Sequence, residues 1–190
     1  MIDAAIELCL TQGYENTTVE QISAAAEVSP RTFSRYFATK DAVVMTLLED
    51  LVDAVAIQLA EIPFSVPVFE ALHRAHISVL REVSKGALAG LTNERIVLML
   101  RIINSTPALK AAATDFRPMP TVRALAERMD TEITDRKVWL VMSVWSAIIV
   151  TACGDLVVDR EGPELGPDLM VARLDGMYAD FTTLTAALTC

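Results

Sequence analysis

Apolar residues in this chain recur at intervals of three and four, the spacing of helices that each bury one face. Val44, Leu48, Leu51, Val55, Leu59 and Ile62 keep that spacing across residues 40–62, with Thr39 placed as an N-cap, which predicts one long helix able to link a head to a body. Pro63 and Pro67 end it. A helix over about 68–84 follows, with the stripe Phe69, Leu72, His76, Val79 and Val83, and Gly86 and Gly90 mark the next break. Residues 95–104 are nearly all apolar and so are expected to be buried on most sides. Thr106 and Pro107 open a further helix, which the run Phe116, Arg117, Pro118, Met119, Pro120 interrupts or kinks. The last two helices, about 135–158 and 167–188, each carry a heptad-like seam: Val138, Met142, Trp145, Ile149, Ala152 and Leu156 in one, and Met170, Leu174, Met177, Phe181, Leu184 and Leu188 in the other. Gly162, Pro163, Gly166 and Pro167 let them fold back as an antiparallel pair.

The first 45 residues are patterned more tightly. Thr17 followed three residues later by Glu20 reads as a capping box opening a short helix that turns Val19, Ile22, Ala25 and Ala26 inward. Glu27 and Val28 break it, and Ser29 and Pro30 supply an N-cap and a first helical residue for a second helix. That helix places Phe33 and Phe37 on one face, with Arg31, Thr32, Ser34 and Arg35 on the other. Two short helices at a tight turn, the second offering cationic and hydroxyl side chains, form a helix-turn-helix suited to a DNA groove.

From Ile2 to about Leu48, the ordered set Ala5-Ile6-Glu7-Leu8, Gly13-Tyr14, Thr17-Thr18-Val19, Ile22, Ala25-Ala26, Val28-Ser29, Tyr36-Phe37 and Lys40-Asp41 resembles the DNA-binding domain of the tetracycline-repressor (TetR) family. The resemblance implies an all-α protein of about nine helices: a three-helix helix-turn-helix domain over 1–46 and a helical ligand-binding and dimerisation domain over 47–190. It implies a one-component transcriptional regulator, usually a repressor, that binds a palindromic operator in double-stranded DNA as a homodimer and is released by a small-molecule effector. Carried over position by position, it puts Thr18 at phosphate, Ser29, Pro30, Arg31, Thr32, Ser34 and Arg35 in or beside the recognition helix, and Tyr36 and Lys40 at phosphate. Arg31 can take guanine O6 and N7 together, and the Thr32 methyl can pack on thymine. Glu27 stands where the family usually has a turn glycine, and Ser34 where it usually has tyrosine.

Charge and composition sharpen this picture. The chain has 190 residues, 53% of them hydrophobic, and a formal net charge of -9. The first 45 residues carry three cations, Arg31, Arg35 and Lys40, against six carboxylates, although the cations cluster around the second helix, where phosphate contact depends on local field. A second reading therefore stands beside the first, in which an acidic head no longer binds DNA and the chain is a ligand-binding or partner-binding helical module. Cys9, Cys153 and Cys190 are odd in number and far apart, which with no visible targeting segment predicts a reducing, cytoplasmic setting. The uncharged stretch 138–154 is 17 residues long, short of the roughly 20 that cross hydrocarbon, so a bundle helix is expected and no membrane.

No catalytic motif, cofactor or metal is indicated. His73 and His76 lie three apart with Glu70 a turn earlier, a pattern more typical of hydrogen-bonded helix histidines than of a metal edge. The family architecture suggests an effector cavity among the body helices, with His76, Met99, Arg101, Ile102, Ile103, Met119, Met142 and Trp145 as candidate lining residues for an apolar or amphipathic molecule. The two heptad seams serve either a four-helix dimer interface or the core of a single chain. The resemblance favours the interface, assigning it Val138, Met142, Trp145, Ile149, Met170, Leu174, Met177, Phe181, Leu184 and Leu188.

Overall fold

Helix caps set the architecture. The computed structural model describes residues 1–156 and 164–187, and among the described residues there are ten helices and no strand. They are α1 (Ile2–Gln12), α2 (Val19–Ala25), α3 (Pro30–Tyr36), α4 (Lys40–Glu61), α5 (Val68–Ser84), α6 (Asn93–Ser105), α7 (Pro107–Asp115), α8 (Met119–Arg128), α9 (Arg136–Cys153) and α10 (Pro167–Ala187). The all-α reading holds, and the break at residues 116–118 separates α7 from α8. Leu188, Cys190, Gly162 and Pro163 lie outside the described residues.

Thr39 Oγ1 accepts the Ala42 N–H to open α4, as its place in the sequence predicts. The other end of α4 has an unexpected cap. Arg128, the last residue of α8, donates from both terminal nitrogens to carbonyls of Leu59, Ile62, Pro63 and Val66, and its guanidinium lies 5.3 Å from the Phe64 ring centroid. The Leu59 and Pro63 carbonyls also accept the N–H groups of Ile62 and Val66, and a cation suits the negative end of a helix. The end of α9 is held similarly, with Asn104 Nδ2 donating to the carbonyls of Cys153 and Leu156, both at 2.9 Å, and Lys110 Nζ to that of Gly154 at 2.6 Å.

One core runs through most of the chain. It takes Ile6 and Cys9 from α1, Leu47, Leu51, Val55 and Leu59 from α4, and continues through Leu72, Ile96, Leu125 and Val138 of later helices. A small separate cluster of Ala5, Ile22, Phe33 and Val43 holds α1, α2 and α3 to α4. The head also touches the body through an ion pair between Asp3 of α1 and Arg95 of α6.

The seam of α9 requires a correction. Val138, Met142, Trp145 and Ala152 are buried within one chain, Val138 completely, and Ile149 is largely covered. In α10, Met170 and Leu174 are buried, while Phe181 packs its ring 5.1 Å from that of Phe69 in α5. The α9 seam and the first turns of the α10 seam therefore build the protomer core, where a fully buried side chain of this size contributes about 1.5–3 kcal/mol. A further face of each helix is left outside: Leu140, Ser143, Ala147 and Thr151 of α9, beside exposed Trp139, and Ala172, Gly176, Ala179 and Thr183 of α10. Leu184, 68% exposed, remains on the outside. By length and composition α9 could cross a membrane, but its inner face is packed on α5, α7, α8 and α10.

Candidate nucleic-acid interface and body cavity

The head is a helix-turn-helix held by reciprocal caps. The capping box of α2 belongs to Thr18, one residue later than the Thr17 and Glu20 template: Thr18 Oγ1 accepts the Gln21 N–H, and Gln21 Oε1 accepts the Thr18 N–H at 2.9 Å. Thr17 is buried instead, its hydroxyl donating to the Gly13 carbonyl. Ala25, expected inside, is exposed. At the other end of α2, Val28 N–H reaches the Ser23 carbonyl and Glu27 N–H reaches that of Ala24, an arrangement that places Glu27 at φ 54. Glutamate thus occupies the left-handed position that a glycine would take without the roughly 1–2 kcal/mol penalty of a Cβ.

Ser29 Oγ accepts the Thr32 N–H at 3.0 Å, and Pro30 opens α3 as its sequence indicates. Phe33 is wholly buried and Phe37 stacks obliquely against it, 5.5 Å between centroids, so the opposite face of α3 must point outward. Ser29, Pro30, Arg31, Ser34, Arg35 and Tyr36 are all exposed there, and Thr32 is half-buried. Arg35 lies over the Tyr36 ring and donates to its hydroxyl at 3.2 Å, so these two residues form one cationic, amphipathic patch.

Lys40 has another role besides any contact to phosphate. Its ammonium donates to the carbonyls of Tyr14 at 2.9 Å and Thr17 at 3.3 Å, and sits 4.2 Å from the Tyr14 ring centroid. Tyr14 in turn donates its hydroxyl to Asp41. Burial, followed by the neighbouring Asp41, holds the Tyr14 phenol well above its ordinary pKa, so it stays a donor. The Gly13-Tyr14 turn is thereby tied to the first turn of α4, fixing where α2 and α3 sit.

Residues 1–46 match the sequence model for "Bacterial regulatory proteins, tetR family". The head is thus a tetR-family domain. HTH-type transcriptional regulator TcmR of Streptomyces glaucescens is 40% identical over 111 residues, which are 58% of this chain and 49% of that protein. The match thus spans about half the length of that curated relative. A candidate TetR-family transcriptional regulator from Mesorhizobium loti overlays with a TM-score of 0.47 at 17% identity, covering 94% of this chain and 93% of that one. The TetR-family regulator PfmR from Thermus thermophilus does so with a TM-score of 0.43 at 16% identity, covering 93% and 95% respectively.

In the body, a partly open cavity of about 80 Å³ lies between α4, α5, α7, α8 and α9, lined by Val52, His76, Phe116, Thr121, Met142, Trp145 and Ser146, among others. A second of about 80 Å³ adjoins it and shares Leu48, Ala113 and Ile149, with Met99 and Ile103 on its wall. Five of the eight residues expected at an effector site are therefore gathered here. Ile102 is buried away from both cavities, and Met119 points to the surface, 43% exposed. Arg101 lines a separate, open groove of about 630 Å³ with Leu10, Glu94 and Asp168. These three are set apart because α6 and α8 each present several faces, and only one looks into the cavity.

The two histidines diverge. His73 bonds Asp175 at 2.8 Å and stacks on Tyr178, on the side facing α10. His76 donates from Nδ1 to the Leu72 carbonyl at 2.8 Å, and the Trp145 indole N–H lies 3.3 Å from both of its ring nitrogens. Burial pushes the His76 pKa down to about 4, so at neutral pH it is an uncharged hydrogen-bonding group on the cavity wall. Phe116 and Thr121 are among the lining residues that spacing alone misses, with Val52 and Ser146. Both flank the proline break between α7 and α8, which reads in sequence only as punctuation.

Proposed function

We propose that this chain is a ligand-responsive, DNA-binding transcriptional regulator of the cytoplasm, acting as a homodimer on a palindromic operator and released by a small effector, most simply as a repressor. In this reading residues 1–46 are the DNA-binding domain and 47–190 the effector and dimerisation domain. The observation that carries it is the outer face of α3, where Arg31, Ser34 and Arg35 stand exposed on a helix capped by Ser29 and anchored by buried Phe33. The relationship to a curated HTH-type transcriptional regulator supports it. Thr18, at the N-terminus of α2, and Tyr36 hold phosphate, Arg31 and Thr32 reach base edges, and Lys40 mainly positions the motif.

Selection of bound sequences from random DNA duplexes tests the reading and reports half-site symmetry. Against a selected operator, Arg31→Ala should cost about 1–3 kcal/mol at one base pair and relax preference there. An equal loss on every single-base variant would assign Arg31 to phosphate alone. No enriched sequence from any selection would favour the alternative of a helical binding module with an inactive head.

Dimerisation is assigned to the outward faces of α9 and α10, in place of the buried seams. Leu140, Ser143 and Ala147 with Gly176, Ala179 and Thr183 are small or apolar and exposed in the protomer, which lets a second pair of helices approach closely. Ala147→Glu or Ala179→Glu should convert a dimer into monomers in sedimentation, because the carboxylate would be desolvated without a partner. A wild-type chain that sediments as a monomer at micromolar concentration would remove this assignment.

A further inference from the structure

Thr121 is 3% exposed, lines the inner cavity, and its hydroxyl has no hydrogen-bond partner among the described residues. A buried hydroxyl left unpaired is costly, and natural folds seldom keep one without a use. Around it the wall is Leu48, Val52, Phe116, Met142, Trp145 and Ile149, and no lining residue of this cavity brings a carboxylate, guanidinium or ammonium. The other polar groups are already engaged: Ser146 Oγ donates to the Thr114 carbonyl at 3.0 Å, and His76 donates to Leu72.

From the orphan hydroxyl in an uncharged apolar wall we infer that the effector is a neutral, largely apolar molecule bearing one hydroxyl or carbonyl, and that Thr121 is the residue that selects it by hydrogen bonding. This deepens the reading of the cavity as the effector site and rests on it. A charged group beside Thr121 would meet no counter-charge, and Lys110, the one charged residue on the wall of the adjoining cavity, is engaged by the Gly154 carbonyl at 2.6 Å, so a neutral molecule is favoured over carboxylates and amines. The two adjoining cavities, joined by a small shift of the Ile149 and Leu48 side chains they share, approach the size of the roughly 150 Å³ apolar cavity that accepts benzene. A one-ring body is what fits without larger movement. The short helix α7, which buries only Leu109 and lies between two proline breaks, is the wall best able to yield for anything bigger.

Three probes of one shape separate the contributions: p-cresol, toluene and p-toluate, titrated calorimetrically into the full-length protein at pH 7.5. The expected result is p-cresol binding about three- to tenfold more tightly than toluene, the range of one net hydrogen bond, with p-toluate not detected. Thr121→Val removes the hydroxyl at nearly constant shape, so it should bring p-cresol down to the affinity of toluene and leave toluene unchanged. Thr121→Ser should keep the preference. In the absence of probe, Thr121→Val should melt no lower than wild type and up to about 2–4 °C higher, since an unpaired hydroxyl has been removed, which also shows that it folds. Equal affinities for p-cresol and toluene in the wild type, an unchanged preference in Thr121→Val, binding of p-toluate as tight as p-cresol, or no binding of any probe would each overturn the inference. None of these titrations contains DNA, so a protein that selects p-cresol but enriches no operator would sink the regulatory reading and leave the site standing.

Discussion

Arg128→Met should lower the stability of the folded chain by about 2–4 kcal/mol in urea denaturation, even though the residue belongs neither to α3 nor to the cavity lining. Its guanidinium is the partner of four carbonyls, those of Leu59 and Ile62 at the end of α4 and of Pro63 and Val66 in the turn that follows. Methionine preserves the apolar stem and removes every donor, leaving partly buried acceptors at the negative end of a 22-residue helix. Lysine should recover less than half of the loss, because one ammonium cannot span the geometry of the planar fork. A variant within about 0.5 kcal/mol of wild type would mean that water replaces the guanidinium fully. The same residue closes α8, whose first turns carry Thr121, so in the proposed reading a displacement of α8 would act on the far end of the helix that carries the head.

The second large effect depends on pH. The unfolded chain titrates His76 near 6.5, whereas burial in the fold lowers it to about 4. Between these values the unfolded state binds more protons, so stability falls as pH drops through that window and the contribution is fully present only above 6.5. The amount at stake is roughly 3 kcal/mol, from about 1.36 kcal/mol for each pKa unit. His76→Gln should be less stable than wild type at pH 7.5 but should lose less stability on acidification, so that the two curves converge toward pH 4. Parallel curves across that range would show that the ring is protonated in place, with water reaching it. An effector that fills the cavity should move the wild-type transition further down in pH, since it binds the form in which His76 is neutral.

The recognition unit was readable because its signals are local. Ser29 followed by Pro30 can hardly do anything except open a helix, and Thr39 ahead of an apolar stripe of helical period predicts α4 to within a residue at either end. Where two adjacent residues offer the same cap, local signals lose their resolution: Thr17 and Thr18 are chemically alike, and the choice is made by the Gly13 carbonyl, which takes the Thr17 hydroxyl. The seams of α9 and α10 failed for a different reason. A heptad pattern says that a helix has a buried stripe, but a helix apolar nearly all round has more than one, and which is turned toward a partner depends on what the rest of the chain already covers. The cavity was legible only in part, since His76, Met142 and Trp145 stand out by type, whereas Thr121 gains meaning solely from the absence of anything for its hydroxyl to bond.

The single core that begins at Ile6 and Cys9 and runs on into α9 has a consequence for building chimeras. A cut at residue 46 would fall inside α4, between Val44 and Leu47, two buried members of that core, and would leave Arg95 facing whatever replaced Asp3. A recognition head grafted from a relative would therefore bring its own α1 surface against a foreign α6. Exchange of operator preference is better made by transplanting the outer face of α3 alone, which touches none of that core, than by swapping whole heads.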